Sequence, residues 1–320
     1  MARDAQARWS QEQQSRAALA AAVVTMVVWG ANFGVTKFVL GELGVGPFLF
    51  IRFLTMPVLG FLLLFLVYRR HLAKSLPRRE DLPRFAAAGL IGHTVHVSIV
   101  TWGIDLSTAF SSALVLTSGP LFTLLILAVL GVEKLRARQV AGTVVAFLGI
   151  VLFLSEKFAA GFSLAGVGDL MLLAAAALFS FQTVIVKPLA VRYGPLPLLT
   201  YTLLFGAPPL VVLCLPSFLA APLGQLSWTV WLGMFWAAVV SAFLGWLVWT
   251  WVNAVRGVAR SAPLMYLMPP IAGVVAWLTL GESFSALKIA GATIAMAGVA
   301  WAQFGGGRPP PRETAQPDSG

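Results

Sequence analysis

The sequence predicts an all-α membrane protein of ten transmembrane helices in two inverted five-helix repeats. Three observations carry this reading. Hydrophobic residues make up 59% of the 320-residue chain and charged ones 11%, against roughly 25% charged in a soluble domain. Apolar segments follow one another along the whole length. The second half also repeats the first: residues 107–154 and 256–303 run in step at a shift of 149, which sets Pro120 on Pro269, Glu133 on Glu282, Gly142 on Gly291 and Gly149 on Gly298. At a shift of 150, Trp29 meets Phe179 and Lys37 meets Lys187.

Ten apolar segments lie at about 17–40, 47–68, 84–104, 108–131, 138–155, 166–187, 196–216, 228–252, 262–280 and 287–304, most of them close to the ~20 residues that carry a helix across ~30 Å of hydrocarbon. Segment 17–40 is too long for the apolar core of a cleavable signal and reads as the first span. Residues 1–16 are expected as a cytoplasmic tail, 17–155 as the first repeat, 166–304 as the second, and 305–320, rich in Gly and Pro, as a disordered cytoplasmic tail. No Gly-rich loop followed by Lys and Ser or Thr occurs, so ATP hydrolysis within this chain is excluded. Cys214 is the single cysteine, which leaves neither a disulfide framework nor a thiolate metal site; no cofactor and no metal are expected.

The net charge of +10 is a topology signal. With the N-terminus inside, 18 of the 22 Lys and Arg residues fall in inner loops, as the positive-inside rule requires. Because they spread over every inner loop and not one face, they do not form a nucleic-acid surface. Lys37, Lys157 and Lys288 lie toward the outside, and Arg52 falls within the second span. Arg exceeds Lys 16 to 6, which fits a GC-rich bacterial coding sequence, and the loop charges and ten spans then predict a bacterial inner-membrane protein with both termini cytoplasmic. Five spans per copy force the second copy to enter from the opposite side, and exchanging the conformations of two such halves converts an inward-open cavity into an outward-open one.

Trp29-Gly30-Ala31-Asn32-Phe33 followed by Lys37, the Ala-Leu pair ahead of Pro120, and the Met-Pro-Pro stretch leading to Gly281-Glu282, Gly291 and Gly298 resemble the EamA-type branch of the drug/metabolite transporter superfamily. The resemblance implies ten helices in two inverted repeats, a central cavity formed mainly by the first, third, fourth, sixth, eighth and ninth helices, and export of amino acids or other small metabolites. The first repeat has Gly131-Val132-Glu133 where the second has Gly281-Glu282, so the Gly-Glu signature is complete only in the second.

Candidate cavity residues follow from polar and aromatic groups inside spans. In the first helix Trp29, Asn32 and Thr36 share a face with Thr25; a face of this kind binds a ligand or glues helices together. His93 and His96 lie one turn apart in the third span and can change charge near neutrality, which suggests a proton-coupled step through His93, with helix packing as the rival reading. Trp246, Trp249 and Asn253 in the eighth helix and Tyr266 in the ninth make an aromatic and amide wall, with Thr117, Gln182 and Thr183 as weaker additions. Pro120, Pro269 and Pro270 fall mid-span, where they should kink the fourth and ninth helices and free the carbonyls of Leu116, Met265 and Tyr266. They read as hinges or static bends. Lys37 and Lys187 are anchors or gate elements that snorkel to opposite interfaces, and Arg52 is left undecided between gate and anchor. Glu133 and Glu282 are expected to cap the helix that follows each of them. The seven-residue spacing of Gly142 with Gly149, and of Gly291 with Gly298, permits close helix contact, within the fold or as a homodimer contact.

The function expected is a secondary transporter, with lipid bilayer and small-molecule substrate as partners and protons as a coupling candidate. Its cargo is a small amphipathic metabolite such as an amino acid, moved outward by alternating access. The alternatives are an uncoupled facilitator of drug-like solutes and a membrane-embedded enzyme acting on lipid with His as acid or base, for which no paired nucleophile or carboxylate accompanies the histidines.

Overall fold

The computed structural model describes residues 11–71, 75–129, 137–159, 163–257 and 261–304. Among them every regular element is helical and no strand occurs. The expected tails, Glu133 and the Gly131-Val132-Glu133 turn lie outside the described residues, as do the side chains of Pro120 and Lys187. Among the described residues, seven helices are long and apolar enough to cross a bilayer, joined by shorter apolar helices at Ala109–Thr123, Leu264–Leu280 and Ala286–Ala302. The chain is a multi-pass membrane protein.

Each half begins with a tight helical hairpin. Helix α1 (Gln11–Leu43) turns into α2 (Val45–Tyr68) through Gly44 alone, at φ 81°. A later pair turns in the same way through Gly194, at φ 75°. Positive φ costs a residue with a Cβ but not glycine, so the joint recurs at the repeat equivalent of Gly44.

The third span of each half contains a widened turn. It opens as α3 (Leu82–Gly89), passes through a π segment (Leu90–His96) and continues as α4 (Val97–Leu106). Its counterpart runs through α10 (Trp228–Phe235), a π segment (Trp236–Leu244) and α11 (Gly245–Arg256). A π turn moves backbone bonding from i+4 to i+5 and presents main-chain groups to neighbouring side chains. Close approach helps hold the first of these: a Cβ built on Gly206 would stand 2.7 Å from His93 Cβ, and Thr94 Oγ1 donates to the Gly206 carbonyl at 2.7 Å.

The apolar helix at residues 109–123 is interrupted at Thr117 and Ser118, and that at residues 264–280 opens as a 3-10 turn that runs directly into an α-helix, which corrects the expectation of continuous α-helices kinked at proline. Helix α5 (Ala109–Leu116) ends at Thr117 and Ser118, and α6 (Gly119–Val129) restarts. After α7 (Ala137–Ala159), α8 (Leu164–Tyr193) and α9 (Pro195–Leu219), a 3-10 turn at Ala262–Leu267 leads into α12 (Met268–Leu280), and α13 (Ala286–Phe304) closes the fold. Pro120 and Pro269 therefore occupy the second position of a new helix, where a missing N–H costs nothing. The restarts at Gly119 and Met268 are equivalent positions of the sequence repeat. The Met265 carbonyl is not freed, because it accepts from Met268 N–H.

Helices α7 and α13 pack face to face through their glycines. A Cβ on Gly149 would lie 2.6 Å from Ala295 Cα, and one on Gly298 would lie 2.9 Å from the Gly142 carbonyl oxygen. The spacing thus serves backbone contact within one chain. Near the ends of α3 and α8, Arg192 pairs with Asp81 at 2.6 Å and Glu80 at 3.2 Å, and Tyr193 Oη donates to Asp81 at 2.6 Å.

Candidate functional site

A cavity of about 160 Å³ lies where the widened and broken helices meet. Its walls come from α1, α2, α4, α8, α11, both π segments, the end of α5 and the turn into α12. His96 and Trp246 each lie ten residues from the end of their span, Leu106 and Arg256. That is about 15 Å at 1.5 Å per residue, half of a ~30 Å hydrocarbon layer.

Four aromatic rings form the apolar wall. Trp29 lies 6.4 Å from Trp246, Trp246 lies 5.6 Å from Phe179, and Phe179 lies 5.5 Å from His96, between ring centroids. Trp29 and Phe179 are equivalent in the repeat, and so are His96 and Trp246: two pairs of repeat equivalents make one enclosure. Phe179 is absent from the candidates read from the sequence, although its pairing with Trp29 in the repeat is the signal that finds it.

The polar groups are not symmetric. Asn32, Thr36 and Arg52 line the cavity, and Asn32 Oδ1, Thr36 Oγ1 and Arg52 Nε are buried without a hydrogen-bond partner. Their equivalents in the second repeat are Gln182, Val186 and Thr202. Gln182 donates to the Ala88 carbonyl at 3.4 Å and stands against Gly92, and Thr202 accepts from His93 at 3.0 Å. Thr202 gives its one hydrogen to the main chain of α9, so His93 Nε2 must be the donor.

The two histidines have different surroundings. His96 lines the cavity and donates from Nδ1 to the Gly92 carbonyl at 3.3 Å, which leaves Nε2 as an acceptor. His93 is held between Phe53 and Trp246, behind the wall. Several other candidates also stand outside this cavity. Trp249 packs on Trp29 at 5.7 Å and on Met26. Thr117 and Thr183 bond back to Ala113 and Phe179 carbonyls in their own spans, and Tyr266 is buried against Leu121 and Val299. Asn253 lies further along α11, its Oδ1 buried and without a partner. Neither Pro269 nor Pro270 contributes to the wall, but Met265 and Met268 beside them do.

The Lys37 ammonium donates to the Asp105 carbonyl, tying α1 to the end of α4. Glu282 does not cap the helix that follows it. Its carboxylate accepts from Ala109 N at 2.6 Å and Phe110 N at 3.4 Å, at the N-terminus of α5, while Ser285 accepts from Lys288 N at the start of α13. Glu282 and Lys288 border a second void of about 320 Å³ with Phe110 and Phe153. That void sits at helix ends, away from the histidines and the aromatic rings. No group of His, Cys, Asp and Glu that could hold a metal ion occurs among the described residues.

A helical membrane protein with a cavity that carries unpartnered polar atoms near the middle of its spans has the build of a membrane transporter. The EamA-like transporter family profile matches residues 16–155 and again 166–303, and the chain belongs to that family. It is a transporter and not an enzyme. Among similar proteins, a "Probable terminal-alkyne amino-acid exporter" of Streptantibioticus cattleyicolor is 29% identical, over 87% of this chain and 91% of its own. A "Probable amino-acid metabolite efflux pump" of Salmonella typhimurium is 27% identical, over 89% of this chain and 94% of its own. One solved crystal structure, 17% identical, covers 90% of this chain and 98% of its own with a TM-score of 0.62, a likeness of fold alone.

Proposed function

We propose that this protein exports small amphipathic metabolites, amino acids foremost, from a bacterial cytoplasm by alternating access of two inverted five-helix repeats, with both termini cytoplasmic. The observation that carries the proposal is the enclosure built by repeat equivalents, Trp29 with Phe179 and His96 with Trp246, around unpartnered polar atoms. Rings of this kind hold an apolar body while polar tips fix a head group. The names of the two relatives above concern amino acids, which agrees with this reading. A cavity of about 160 Å³ suits a small solute. We assign any proton-coupled step to His96 instead of His93, because His96 borders the cavity while the Nε2 proton of His93 is committed to Thr202. Liposomes containing the purified protein and loaded with labelled amino acids test the proposal: faster efflux than from empty liposomes, reduced at least tenfold by Trp246→Ala, is expected. Efflux no faster than from empty liposomes, for every amino acid and toxic analogue tried, would end it.

A further inference from the structure

Arg52 is a buried cation without a counter-charge among the described residues. Its Nε is buried without a partner, its side chain borders the cavity, and no hydrogen bond or ion pair engages it among the described residues. The titratable groups around it offer no counter-charge: His96 shares the cavity wall and His93 stands behind it, and an imidazole is neutral or cationic. Asp81, Asp169 and Glu282 are engaged elsewhere, with Arg192, Ser107 and the α5 amides respectively. An isolated cation at this depth is expensive, and such residues are retained where they face a pathway or a partner. A guanidinium presents a planar fork of donors that matches a carboxylate bidentately. Asn32 and Thr36 add a neutral amide and a hydroxyl to the same cavity, and their repeat equivalents Gln182 and Val186 offer none. The unpartnered polar side chains that line the cavity thus come from the first repeat, and its aromatic rings from both.

We infer that Arg52 binds the carboxylate of the transported solute, with Asn32 and Thr36 beside it and the apolar body against Trp29, His96, Phe179 and Trp246. The inference rests on the export reading above and narrows it to solutes with a free carboxylate. The solute supplies the negative charge that the cavity walls lack, so the loaded state buries a neutral pair and not a lone cation.

The test compares each of several labelled L-amino acids with its own amide in efflux from liposomes containing the full-length protein. Wild type is expected to move the acids at least tenfold faster than the amides, and Arg52→Gln to bring that ratio close to one, with Arg52→Lys in between. The wild-type ratio needs no variant, so misfolding of a substituted protein leaves the test intact. Equal efflux of acid and amide by wild type, or an unchanged ratio in folded Arg52→Gln, overturns the carboxylate assignment while export stands. Absence of efflux for both classes strikes the export reading itself and the assignment with it.

Discussion

The indole of Trp29 donates from Nε1 to the main-chain carbonyl of Ser241 at 2.9 Å, a bond that ties the first span to the π segment of the eighth. Two sequence features meet there. The Ser241 carbonyl belongs to the widened turn, and Gly245, whose added Cβ would stand 3.3 Å from Trp29 Cδ1, clears the space for the ring. Trp29→Phe retains a ring in the aromatic wall but removes the donor and with it the bond to Ser241. A hydrogen bond of this kind contributes about 0.5–1.5 kcal/mol, so a lower melting temperature in detergent is expected, measured by intrinsic fluorescence of the remaining tryptophans. Gly245→Ala should lower it as well by displacing the indole. Unchanged melting in both variants would show that the bond contributes nothing.

The histidines separate by pH response. Between about pH 5.5 and 8, where an imidazole ordinarily titrates, His96→Gln should flatten whatever dependence transport shows, since His96 is the histidine on the cavity wall. His93→Asn should instead lower stability, through loss of the Thr202 contact, with the shape of the profile retained. The measurement is efflux rate against internal and external pH for the three proteins. A flattened profile in His93→Asn alone would reverse the assignment.

The architecture is legible in the sequence because the bilayer simplifies the problem: a span must be apolar for most of its length, so composition locates the helices and the constant shift between the two halves pairs them. The π segments and the helix break at Thr117 and Ser118 are not legible, since the choice between i+4 and i+5 bonding is made by neighbours such as Gly206 against His93 and leaves little trace in residue type. That loss propagates to the site. Helical spacing sets His93 and His96 on one face, but the wider turn between them sends one ring to the cavity and the other behind it. Arg52 is undecided in the sequence for a similar reason: a charge early in a span can snorkel or face inward, and only the packing of α2 against its neighbours decides which. Asn32 and Gln182, equivalent in the repeat, are told apart only by the bond from Gln182 to Ala88.

The glycine contact between α7 and α13 predicts a graded response. Gly149→Val forces a branched side chain into a site where even one carbon would meet the Ala295 backbone at 2.6 Å. Relief requires separating two helices, so monodisperse protein should be lost in size-exclusion chromatography. Gly41→Ala is the matched control, because nothing lies within 4 Å of a Cβ at that helical position; it should elute as wild type. Normal elution of both variants would contradict the tight contact.

The last prediction concerns the closure made by Glu282. Its carboxylate joins the turn between α12 and α13 to the first amides of α5, and a negative group is favoured at a helix N-terminus both by hydrogen bonding and by the macrodipole. Lys37 makes a second tie, from α1 to the Asp105 carbonyl just before α5. In the proposed orientation both ties lie on the outer side, so they stabilise the outward-closed arrangement. Glu282→Gln keeps the shape and one acceptor oxygen but loses the charge, and should shift the population toward outward-open. Ser111→Cys, in the first turn of α5 and bordering the outer void, reports this when Cys214 is replaced by Ser. Labelling by a membrane-impermeant thiol reagent added outside should be about tenfold faster with Glu282→Gln than without it, the change expected if a tie of ~1.4 kcal/mol is lost. Equal labelling rates would remove Glu282 from the closure, and faster labelling from the inside would invert the orientation on which the prediction stands.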